Sequence, residues 1–140
     1  MKKIIFLAII FGSVFTFSNC KKDDTTSVPA KPTTANVTVS LRKLASETGS
    51  VNCSGLSVEL HSNALYTAKV KGVASTGTAS AATASFSGVN NGKYYLMAWK
   101  DMDASNSYTP GDLFGFAEAP VVLDGIAKAY TIDMYILKDQ

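Results

Sequence analysis

The chain has 140 residues, of which 13 are Lys or Arg, 11 are Asp or Glu and one is His, giving a formal net charge of +2. Phosphate binding requires clustered Lys and Arg. No basic run occurs after residue 35, so we exclude nucleic acid as a partner. The length also leaves room for only one domain.

The first 20 residues have the pattern of a targeting segment. Lys2 and Lys3 precede an apolar run at residues 4–17, which is short for a permanent membrane anchor. The run ends at Phe17-Ser18-Asn19-Cys20, which resembles the lipobox of bacterial lipoprotein signal peptides. This resemblance implies that residues 1–19 are removed and that Cys20 carries a lipid, which places the protein at the outer membrane or cell surface. The alternatives are secretory cleavage near Ser18 and an uncleaved anchor.

Residues 20–35 are predicted to form a flexible tether, because they are rich in Thr, Pro and Lys and contain no bulky apolar residue except Val28. Asp23 and Asp24 resemble the charged signals that send some lipoproteins of Bacteroidetes-type bacteria to the cell surface. Loss of Lys2 and Lys3 with the leader leaves 11 basic and 11 acidic residues. With Cys20 lipidated, Cys53 has no cysteine to pair with.

Residues 36–140 are predicted to form one all-β domain, an antiparallel sandwich of seven or eight strands. Apolar and polar residues alternate in short segments, and no window has helical spacing. The first half of residues 74–85, which lack large side chains, is predicted to be a loop. The predicted strands are residues 37–44, 56–61, 65–72, 82–89, 93–101, 113–119, 120–123 and 127–138.

The segment FSGVNNGKYYLMAWKD, residues 86–101, resembles transthyretin-like and carboxypeptidase-regulatory-like sandwiches. In those domains a strand ending in Phe leads through a Gly-containing turn into a Tyr-rich strand. The resemblance implies a transthyretin-like or Ig-like sandwich. It also implies a non-catalytic role, as a spacer, a binding domain or a stabilising attachment.

A polar loop at residues 101–112 has the oxygen spacing of an EF-hand loop, and calcium is therefore a predicted cofactor. Asn106 stands at the position that usually holds Gly, and the last ligand is Asp where Glu is usual. We therefore expect weak affinity, about 10⁻⁴ to 10⁻³ M. The alternative is a solvated turn closed by Pro110-Gly111. The predicted ligands are Asp101, Asp103, Ser105, Ser107, Thr109 and Asp112.

The protein is not predicted to be an enzyme, although a hydrolase remains a third possibility if His61 faces a cleft beside a nucleophile. His61 lies on the outward phase of its strand with Glu59, so it is expected to be exposed. Cys53 lacks a metal-binding partner and is expected to be a buried or half-buried, inert thiol.

Several aromatic residues cluster around the polar loop. Tyr94 and Trp99 are predicted to lie in the core, whereas Tyr108 is predicted to be exposed as a ligand platform. The sequence as a whole predicts a non-enzymatic, lipid-anchored surface protein with a structural or adhesive role. The alternative is a glycan-binding accessory lipoprotein of an uptake or degradation complex.

Overall fold

The computed structural model describes residues 29–139, and these residues form an all-β domain with no helix. The predicted all-β class is therefore confirmed. The predicted leader, Cys20 and most of the predicted tether lie outside the described residues. The strands are β1 Thr34–Lys43, β2 Ser57–His61, β3 Lys69–Ala74, β4 Thr76–Gly77, β5 Ala81–Asn90, β6 Gly92–Lys100, β7 Leu113–Phe116, β8 Val121–Leu123 and β9 Lys128–Ile136. Within residues 29–139, no helix meets the length and hydropathy that a membrane crossing requires.

The strands form one sheet in the order β3-β2-β6-β7-β9-β1-β5-β4, with β8 paired to the first residues of β6. All pairs are antiparallel except β1 with β9, so the sheet is mixed. These two strands are the first and the last, and no short turn has to join them, which permits a parallel pair. Lys71 Nζ of β3 donates to the Ser87 carbonyl of β5 at 2.7 Å, and the sheet therefore curls until its two ends nearly meet.

The alternating residues predicted to face inward fill the space that the curled sheet encloses. Val37, Val39 and Leu41 of β1 are fully buried, and so are Phe86 of β5 and Leu96 of β6. Each large apolar side chain removed from water in this way stabilises the fold by about 1.5–3 kcal/mol. The stability of the domain therefore comes largely from burial of these apolar side chains.

The two ends of the domain carry different features. At one end the chain enters β1, where Asn91 N–H and Nδ2 donate to the Thr33 and Pro32 carbonyls, each at 2.9 Å. At the other end the loop after β6 is tied to the chain leaving β9, since Leu137 N–H donates to the Asp112 carbonyl at 2.9 Å. The ten residues of β1 span roughly 30 Å between these ends. We call the end where the chain enters β1 the entry pole, and the end with the loop after β6 the distal pole.

Two strand predictions need correction. The strand predicted at residues 65–72 begins only at Lys69, because Asn63 Oδ1 accepts N–H groups from Thr67 and Ala68 and closes a turn in which Tyr66 has φ 54°. The loop predicted for the first half of residues 74–85 contains the short strand β4. At the first of these places, the local turn at Asn63 decides where the strand begins.

Candidate functional site

The polar loop at the distal pole folds around its first aspartate. Asp101 Oδ1 accepts the Ser105 N–H at 3.1 Å, and Asp101 Oδ2 accepts the Asn106 N–H at 2.7 Å. This curl needs left-handed backbone, which Asn106 adopts at φ 58°. Asn tolerates that conformation better than most residues do. Ala104 also takes a left-handed φ, 59°, which the residue type alone does not indicate.

The curl brings the three carboxylates of the loop together. Asp101, Asp103 and Asp112 each offer one oxygen, and these oxygens lie within 4.8 Å of one another. Calcium binds oxygen ligands at about 2.3–2.6 Å, so ligands on opposite sides of one ion are separated by roughly 5 Å. The spacing of the three carboxylates therefore fits a single calcium ion.

Two of the predicted hydroxyl ligands also face the cluster. Thr109 Oγ1 lies 3.1 Å from Asp103 Oδ2 and 3.3 Å from Asp112 Oδ2. Ser105 Oγ donates to the Ser107 carbonyl at 3.1 Å, so Ser107 joins the group through its backbone, as expected for its place in the loop. The three carboxylates and the Thr109 hydroxyl therefore lie together, and Ser105 links the Ser107 carbonyl to this part of the loop.

The negative charge of the cluster is compensated by hydrogen bonds. Asp112 is 1% exposed and accepts N–H groups from Met102 at 2.8 Å and Thr109 at 3.0 Å. Hydrogen bonds from the side chain and backbone of Ser105 lower the pKa of Asp103 below its ordinary value. Within residues 29–139, no Lys, Arg or His nitrogen lies within 4.0 Å of these carboxylates. This arrangement suits a bound cation and also a closed polar turn.

Aromatic rings cover the outer face of the sheet beside this loop. Tyr108 stands between Trp99 and Phe114, with ring centroids at 5.1 and 5.4 Å and interplanar angles of 75° and 76°. Its predicted exposure is confirmed at 54%. Tyr94 is buried as predicted, but the core prediction for Trp99 is wrong, because Trp99 points to the outer face and is only half-buried.

A buried polar cluster lies on the same face, and the sequence analysis missed it. His61 was predicted to be exposed, and that prediction is wrong: His61 is 3% exposed and its Nε2 lies 3.0 Å from Glu59 Oε2. Ser57 Oγ and Lys69 Nζ donate to Glu59 Oε1 at 3.0 and 3.2 Å. The Tyr66 ring packs edge-on against His61, with its centroid 5.6 Å from that of the imidazole. The shared strand phase of Glu59 and His61 was the available signal.

Burial disfavours the charged form of Glu59, but hydrogen bonds from Ser57, Lys69 and His61 outweigh burial, and the pKa of Glu59 lies below its ordinary value. His61 Nδ1 has no hydrogen-bond partner within residues 29–139. Cys53 is buried as predicted, and burial raises the pKa of its thiol, which suits an inert side chain.

Comparison with protein-family models, with curated proteins and with solved structures finds no match to this chain.

Proposed function

We propose that the protein is a non-enzymatic, lipid-anchored module of the outer membrane or cell surface, with a structural or adhesive role. Its support is the separation of the two poles. The chain that would lead to the lipid on Cys20 joins the domain beside Asn91, whereas the polar loop and Tyr108 lie at the other end of the strands. A domain tethered in this way holds its distal pole away from the membrane.

We propose further that the loop at residues 101–112 binds calcium and that the ion orders the distal pole. The support is the convergence of three carboxylates within 4.8 Å without a basic partner in the described part of the chain. Asp101, Asp103 and Asp112 would supply the charge, and Ser105, Ser107 and Thr109 would supply neutral oxygens. Millimolar calcium outside the cell would suit the weak affinity expected of this loop.

A non-enzymatic role fits the placement of the chemically capable side chains. His61 is buried against Glu59, and Cys53 is buried in the core. A Ser–His or Cys–His pair needs its nucleophile within hydrogen-bond reach of the histidine. The His61 side chain lies against the Glu59 carboxylate and the Tyr66 ring.

Lipid attachment is tested by metabolic labelling with a fatty-acid analogue in a bacterial host, together with antibody labelling of intact cells. We expect the parent protein to incorporate the lipid and to be accessible at the cell surface. The Cys20→Ser variant should lose the lipid and be released, while Cys53→Ser serves as the matched control. Equal lipid incorporation by the parent and Cys20→Ser would contradict the proposed anchor.

A further inference from the structure

A cleft opens on the outer face where β7 separates from β9. These strands pair only at Leu113–Ile136 and Phe114–Tyr135. The chain then follows β6, because Ala117 N–H donates to the Leu96 carbonyl at 3.0 Å. Cavities of about 360 and 430 Å³ lie on the two sides of the segment at residues 116–120, which lines both.

Four aromatic rings line the smaller cavity. Tyr66, Tyr95, Phe114 and Phe116 contribute to its wall, and the rings of Tyr66 and Tyr95 lie 6.3 Å apart. Phe116 is 45% exposed, and it is the one ring that lines both cavities. Exposed aromatic faces bind ligands that have apolar C–H surfaces.

The larger cavity adds groups that form hydrogen bonds to a wall that is otherwise largely apolar. Arg42 Nε donates to Asp133 Oδ1 at 2.5 Å, with Nη2 3.4 Å from Oδ2, and this pair borders the cavity with Thr131 and Glu118. Both members of the ion pair are partly exposed. The remaining guanidinium N–H groups and carboxylate lone pairs are therefore available to a ligand that both donates and accepts.

We propose that this cleft binds a neutral oligosaccharide, with one sugar ring against Phe116 and adjoining sugars in the two cavities. This inference rests on the proposed function and gives the adhesive module a ligand class. A pyranose has C–H faces for the rings and hydroxyl groups that donate and accept hydrogen bonds with Arg42, Asp133 and Thr131.

The charges of the cleft favour a neutral ligand. Asp133 neutralises Arg42, Glu118 adds a negative charge, and no lysine is among the residues that line either cavity. A polyanion would meet no free cation, and a lipid chain would leave the polar wall without partners. Tyr108 is a less suitable platform because it is not among the residues that line either cavity.

The test is isothermal titration of the full-length lipidated protein, held in a detergent without a sugar head group, with malto-, cello-, xylo- and mannohexaose at millimolar concentration. We expect at least one hexaose to bind. Phe116→Ala should weaken that binding by about tenfold. Tyr108→Ala removes a more exposed ring outside both cavities and should bind like the parent. Asp133→Asn, which keeps the side-chain shape, should also weaken binding and serves as the readout if Phe116→Ala does not fold.

Failure to bind any of the four hexaoses would overturn the carbohydrate assignment, as would preferential binding of extended peptides from a random library. Binding lost in Tyr108→Ala and retained in Phe116→Ala and Asp133→Asn would overturn the location. No residue of the loop at residues 101–112 lines either cavity, so an Asp101→Asn/Asp103→Asn variant should still bind the hexaose. A negative titration would leave the calcium and lipid proposals standing, because neither depends on the cleft.

Discussion

Glu59 illustrates how much of a single residue's environment depends on the tertiary fold. Its alternation with Val58 and Leu60 correctly placed Glu59 and His61 on the outer face. Alternation alone could not reveal that both are buried, and the Tyr66 ring that packs against His61 comes from a turn fixed by Asn63. Outward strand phase indicates exposure only where no loop folds back over the sheet.

At this scale we predict that Glu59→Gln destabilises the domain in a pH-dependent way. The pKa of Glu59 is lower in the folded chain, so its ionised form contributes stability above the ordinary pKa of 4.5, and that contribution is lost as the pH falls through the lower folded value. Losing the charged hydrogen bonds should cost about 1–3 kcal/mol at about pH 7. Urea unfolding at about pH 7 and about pH 3 measures the change.

The matched control is Glu118→Gln, which removes the same charge from an exposed position without an ion pair in the described residues. An equal decrease in the free energy of unfolding at both pH values, or in both variants, would contradict the role given to ionised Glu59.

At the scale of elements, the sequence predicted most strands and their inward faces because alternation directly reports which side chains are buried. The parallel pairing of β1 with β9 could not be predicted from alternation, because it depends on how the sheet curls. The calcium-loop spacing identified residues that the fold does bring together, because loop curvature is a local property. The cleft beside β7 depends on where two strands separate, which periodicity does not encode.

We predict that Gly115→Ala weakens the packing of β7 on β9. A Cβ at Gly115 would lie 2.6 Å from the Asp133 carbonyl oxygen and 2.7 Å from Ile132 Cγ2. Overpacking of this kind costs about 1–3 kcal/mol. The thermal midpoint should therefore fall by about 5–15 °C.

Gly72→Ala is the matched control, because its new Cβ would meet no atom closer than 3.7 Å. We expect this variant to melt at or slightly above the parent temperature, since Ala in a strand avoids the entropy cost of Gly. Equal melting temperatures for Gly115→Ala and the parent would contradict the prediction, because they would mean that β9 shifts at little cost to accommodate the added Cβ.

At the scale of the whole molecule, the two poles separate the proposed anchor from the proposed ion site. The proposed tether would join the domain at the entry pole, and the distal pole holds the carboxylate cluster, which Leu137 connects to the end of β9. An ion in the loop would therefore stabilise the connection between β6 and β7 and the exit from β9 together. Calcium should accordingly raise the stability of the whole domain.

The most direct test of this account is thermal melting of the purified protein, first in EDTA and then in calcium. The calcium concentration should be about ten times the dissociation constant of calcium from the loop at residues 101–112. Calcium should stabilise the parent by about 1.4 kcal/mol, a rise of about 5–10 °C. Asp101→Asn/Asp103→Asn should lose that rise, whereas Asp23→Asn/Asp24→Asn, which removes two charges before the domain, should keep it. An unchanged melting temperature in the parent would contradict the calcium proposal and make the loop a closed polar turn.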